Sequence, residues 1–242
     1  MRKQNCIICT FFLLAISITG CNDNNEMKDD GEAEIFYAKV EDASLHSNID
    51  KVKVQLIGNF GDVKIVDIYC SDWKDGCFTF SLPKTVNPNY LGTYHYVNQS
   101  IPVGNENVKV GEVYFLGFNK DGYRVTGLTH AGKTEDGYVE AFYTYVDSDA
   151  TIFGDYAKLR NVLEKDDNGD CIPCLWEINT TFSVELKKGW NIWYLSSSVS
   201  RTERTIKERW STIPVRGLKW YFVGDFAAIK NFSIGDCVNY TY

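Results

Sequence analysis

Along most of this chain apolar and polar residues alternate with a period of two, the pattern of strands that bury one face. In KVKVQLIG, residues 51–58, Val52, Val54 and Leu56 face one way while Lys51, Lys53 and Gln55 face the other. GEVYFLGF sets Val113, Phe115 and Gly117 against Tyr114, Leu116 and Phe118, so both of its faces are expected to be covered. GYVEAFYTYV sets Phe142, Thr144 and Val146 against Ala141, Tyr143 and Tyr145. EIFYAKV, VKIVDIYC, CFTFSL, TTFSVEL, WNIWYL and LKWYFV are built alike, from the β-branched and aromatic residues that suit a pleated surface. Asp121-Gly122 and Asp136-Gly137 mark hairpin turns, and Lys187-Lys188-Gly189 marks a further reversal. The best helical stretch is YAKLRNVLEK, residues 156–165. Many short strands with frequent turns predict an all-β fold. The expected architecture is an antiparallel β-sandwich, immunoglobulin-like or jelly-roll-like, with at most one or two short helices. Polar residues with Pro102 and Gly104 interrupt the pattern and suggest two β lobes, 34–104 and 105–242; one continuous sandwich also accommodates it.

The first twenty residues break the alternation. Arg2 and Lys3 precede the apolar run CIICTFFLLAISI, and ITG leads directly to Cys21. The run is short for a membrane-spanning helix, which needs about 20 apolar residues. It resembles the bacterial lipobox, which implies a signal peptide over 1–20 and a lipidated N-terminal Cys21. Several acyl chains on one residue hold a protein on a membrane durably. Residues 21–33 are polar and acidic and read as a flexible tether. An acidic run at this place also resembles the surface-export signal of Bacteroidota lipoproteins, which implies an outer-membrane anchor and exposure at the cell surface.

The rest of the composition is globular, with 44% hydrophobic and 14% aromatic residues and a net charge of −7. That balance argues against nucleic acid as a partner. Beyond Cys21, thiols stand at Cys70, Cys77, Cys171, Cys174 and Cys237. Outside the reducing cytosol they can pair, and Cys70–Cys77 and Cys171–Cys174 are candidate disulfides, with Cys237 an alternative partner. The spacing in CIPC, residues 171–174, admits a redox site. However, acidic EKDDNGD precedes it and strand-like LWEIN follows, the opposite of the helix N-terminus that lowers a thiol pKa. Zinc would need more ligands than this neighbourhood offers. Asp166, Asn168, Asp170 and Glu177 fall at calcium-loop offsets and make a weak candidate for a structural calcium, although Cys171 stands where the turn requires glycine. His46, His95 and His130 are scattered, and no serine-hydrolase elbow, zinc-protease helix or phosphate loop is present. No residue is singled out as catalytic. Trp73, in the acidic turn SDWKDG, and Trp210 are the candidate ligand contacts, as flat rings that would suit a sugar. Arg201, Arg204, Lys207 and Arg209, interleaved with Glu203 and Glu208, read as a solvated strand edge.

CFTFSLPKTVNPNYL, VYFLGFNKDGY, LKKGWNIWYLSSS and GLKWYF, taken together, resemble a series of phrases in uncharacterised Bacteroidota surface lipoproteins. The resemblance implies an all-β fold and a lipid-anchored envelope location, and it carries over no site residues. The expectation is therefore a non-enzymatic extracellular binding module for glycan or protein. A structural or adhesin-like assembly component is the alternative, and an envelope hydrolase a distant one.

Overall fold

A computed structural model describes residues 34–225, apart from 47, 59–63, 94–102, 136, 166–167 and 169. The expected signal peptide and tether, with Cys21, and also His95, Asp166 and Cys237, lie outside the described residues. The chain is all-β, as expected. The described residues form thirteen strands, β1 (Ile35–Lys39), β2 (Lys51–Gly58), β3 (Lys64–Asp72), β4 (Cys77–Ser81), β5 (Gly92–Thr93), β6 (Lys109–Phe118), β7 (Arg124–Lys133), β8 (Gly137–Val146), β9 (Ala150–Lys165), β10 (Cys171–Leu186), β11 (Gly189–Ser200), β12 (Thr205–Ser211) and β13 (Lys219–Phe222). Short 3-10 turns cover Ala43–His46 and Pro88–Tyr90.

β1 and β4 form a small antiparallel sheet, and the other strands form an 11-stranded sheet ordered β3-β2-β6-β7-β8-β11-β12-β10-β9, with β13 on β7 and β5 on β6. The boundary expected at 104 does not separate two sheets, because β2 pairs along its whole length with β6. The alternation read in KVKVQLIG holds residue by residue: Val52, Val54 and Leu56 are fully buried while the residues between them are half-buried. Strand β8 is covered on both sides, whereas β6, where this was expected, is so only in part, since Tyr114 is 41% exposed. On one face Phe115 and Tyr143 join Phe78 and Phe80 of the small sheet, Trp220 and Phe222 in the first core. On the other, Val110 and Val146 join Phe182, Val184 and Trp193 in a second core. There the sheet curls back, bringing β9 and β10 over the reverse side of β8 and β11.

The helix expected over 156–165 is instead the outer half of β9. All sixteen residues of β9 pair in unbroken register with β10. A ten-residue helix is marginal on its own, so a full ladder of strand bonds outweighs its local spacing. The basic run is also corrected. β12 is an interior strand, pairing antiparallel with β11 and parallel with β10. Arg201 and Arg204 occupy the turn before it. The reversal at Lys187–Gly189 does occur, with Gly189 at φ 105°. It does not make a hairpin, since β12 lies between β10 and β11.

Candidate functional site

Strands β1 and β13 run parallel and touch at one point. Val40 bridges Trp220, and the Glu41 amide donates to the Trp220 carbonyl at 2.9 Å. N-terminal to that contact the chains separate, and a cleft of about 400 Å³ opens between β1 and Leu218–Lys219. Its floor comes from four strands: Phe80 of β4, His130 of β7, Tyr143 of β8 and Trp220 of β13. Register brings them together, because His130 lies opposite both Trp220 and Ala141. The imidazole lies flat on the indole of Trp220, with centroids 5.0 Å apart and planes 9° apart, and Tyr143 stacks near the same indole at 6.2 Å. His130 Nδ1 sits 3.0 Å from the Tyr143 hydroxyl. Burial pushes the His130 pKa down against a hydrogen bond with the Leu218 backbone, and burial pushes the Tyr143 phenol up. At neutral pH the pair is an uncharged imidazole and a protonated phenol.

The rim is β1. Ile35, Phe36 and Tyr37 are 62%, 37% and 72% exposed, three consecutive large apolar residues at the surface. Phe36 stacks on Phe80 at 5.0 Å, which ties the rim to the floor. At the mouth Lys219 Nζ meets Glu41 Oε1 at 3.2 Å.

Neither tryptophan singled out from the sequence lines this cleft. Trp73 is half-buried, packed on the first core with its ring 5.8 Å from Phe222. Trp210 packs on the second core, 4.8 Å from Trp193, 5.1 Å from Phe142 and parallel to Phe182. Both are core aromatics rather than exposed platforms. The calcium set does not converge either. Asn168 and Asp170 are exposed in the connection between β9 and β10, whereas Glu177 lies well along β10, opposite Leu159. A strand rises about 3.3 Å per residue, which puts Asp170 and Glu177 on the order of 20 Å apart. Among the described residues no group of three His, Cys, Asp or Glu side chains is placed to hold a metal.

Both proposed disulfides are corrected. Cys77 and Cys174 are free thiols, and Cys70 is disulfide-bonded, so its partner is not Cys77. Cys70 stands in the main sheet opposite Lys53, while Cys77 opens β4 in the small sheet opposite Lys39. In CIPC, the free thiol at Cys174 rules out a bridge to Cys171. Cys174 is buried, and burial together with the Glu164 carboxylate raises its pKa, which keeps it a quiet thiol. Glu164 also accepts from Trp176 Nε1 and lies 3.4 Å from Arg204, fastening the far end of the β9–β10 hairpin.

Sequence reasoning missed the cleft because its floor is assembled from positions as distant as 80 and 220. Two local signals were present. IFY in β1 breaks the alternation, and GLKW, residues 217–220, supplies one wall. Comparison with protein-family models, curated proteins and solved structures finds no match for this chain.

Proposed function

We propose that this protein is a lipid-anchored component of the cell envelope, held through Cys21, that binds an extracellular polypeptide partner without catalysis. The observation that carries the reading is the cleft of about 400 Å³ beside β1, with its three exposed apolar residues in sequence. A run of exposed apolar side chains at a concave surface is the usual mark of a binding site. Partner rather than glycan is favoured because the floor rings are taken up by one another. Trp220, Tyr143 and Phe80 are each less than a tenth exposed, too narrow a strip of ring for the broad flat stacking a sugar needs. Binding rather than chemistry is favoured because His130 Nδ1 and the Tyr143 hydroxyl on the cleft floor are engaged with each other at 3.0 Å. The anchor rests on the lipobox-like end, and the acidic tether supplies reach.

The test uses the mature chain with Cys21→Ser, screened against a glycan array and against a display library of seven-residue linear peptides. Peptide binding that Tyr37→Asp weakens supports the proposal. Absence of any ligand in both screens overturns it. Separately, Cys21→Ala should release the protein from the membrane fraction; retention there would refute the anchor.

A further inference from the structure

We infer that the partner binds as an extended strand added to the open edge of β1, with a large apolar side chain set on the His130–Trp220 floor. This rests on the binding reading above and specifies its mode. The Val40 amide donates to the Gly76 carbonyl at 2.9 Å, toward β4, whereas the next amide, Glu41, donates to Trp220 on the opposite side. Backbone groups alternate in direction along an antiparallel strand. The odd residues of β1 therefore present their amides and carbonyls away from β4. Tyr37 and Lys39 share the parity of Glu41, and all three line the cleft. Among the described strands β1 pairs along its length with β4 alone, and its rungs toward β13 begin at the Lys39 carbonyl, with the Val40–Trp220 bridge, leaving the outward groups of Ile35 and Tyr37 and the Lys39 amide open.

The cleft thus has one wall of backbone donors and acceptors spaced for a β-ladder and a floor of buried rings. A glycan has no use for the first feature. An extended polypeptide uses both, since main-chain bonds provide affinity while alternate side chains enter the pocket. A second copy offering its own β1 would carry its β4 with it and meet Leu218 and Lys219 on the far side of the cleft. The occupant is therefore a single extended segment of another protein, with a large apolar residue at every second position facing inward.

The decisive experiment is an N-methyl scan of a peptide selected from the linear library, measured against the Cys21→Ser mature chain. Methylating one amide removes one donor, so strand addition predicts losses of about tenfold at alternate residues and little change between them. On the protein, Lys39→Pro removes an amide that β4 does not use and should weaken the peptide about tenfold, while Lys39→Ala stays within about twofold. Unchanged circular dichroism and melting temperature for both variants establish that the fold is kept. Uniform tolerance of N-methylation overturns strand addition while leaving the binding proposal standing. Binding to glycans alone overturns both the peptide partner and its mode. A concentration-dependent dimer that Lys39→Pro dissolves overturns the single-segment occupant in favour of a second copy.

Discussion

Thr144 tests how the second core is held. It is fully buried on β8, and its Oγ1 accepts from Trp193 Nε1 at 3.0 Å across to β11, where Trp193 is 3% exposed. Thr144→Val exchanges a hydroxyl for a methyl of nearly equal size, so packing is preserved and no cavity forms. The cost comes from the indole N–H, which loses its partner where water cannot replace it. An unsatisfied buried donor costs about 1–3 kcal/mol. For a domain of this size that lowers the melting temperature by roughly 2–4 °C per kcal/mol. Trp193→Phe removes the donor but shrinks the ring, for about 1–2 kcal/mol from lost packing. Once the indole is gone, Thr144→Val no longer strands a donor, so the double variant should fall short of additivity by about 1 kcal/mol. Guanidinium unfolding followed by circular dichroism, with an unchanged denaturant slope, measures each corner of the cycle. A Thr144→Val protein within 0.5 kcal/mol of wild type, or a strictly additive cycle, would show that this bond does not support the core.

Three other expectations are open to simple assays. His130 has a folded pKa below its ordinary value near 6.5, so the unfolded chain takes up the proton first. Stability is complete above about pH 6.5 and lost as pH falls toward the folded pKa; melting curves between pH 8 and 5 should show this, and the His130→Gln difference curve should be flat if His130 is not the source. Alkylation of the native protein should modify Cys77 readily, Cys174 only in denaturant, and Cys70 only after reduction; early labelling of Cys174 would contradict its burial. Gly137→Ala would set a Cβ 1.9 Å from the Ser197 carbonyl oxygen, forcing β8 and β11 apart, at a cost of about 1–3 kcal/mol in unfolding free energy; an unchanged midpoint would place those strands differently.

How much of this was legible in the sequence depended on how local its cause was. Val52, Val54 and Leu56 announced their buried face because a strand's neighbours alternate whatever it pairs with. Trp190 and Trp193 were readable as opposite faces of one strand, and they do enter different cores, Trp190 beside Tyr145 and Trp193 beside Trp210. Trp73 misled because Asp72, Lys74 and Asp75 surround it in sequence, while the residue that covers it, Phe222, arrives from the far end of the chain. Residues 156–165 misled for a related reason, since Leu159 and Val162 have helical spacing but the ladder with β10 decides the outcome. The cleft was least visible of all, because no single segment contains more than one of its floor rings.

The insertion of β12 between β11 and β10 sets an order of events for the chain as it is made. β9 and β10 can close their hairpin from neighbouring residues as soon as both have emerged. The opposite edge of β10, from Glu177 to Ser183, then waits for Thr205–Ser211, with β11 emerging first and taking a place one strand further off. During that interval two unpaired edges, of β10 and of β11, stand open at once toward the same gap. Open edges are templates for the wrong chain, and non-local parallel pairing is slow to form. A chain cut short before Thr205 would keep its longest hairpin and lose the strand that seals it. Arrival of Thr205–Ser211, rather than any local nucleus, is the event that makes this protein safe from its neighbours.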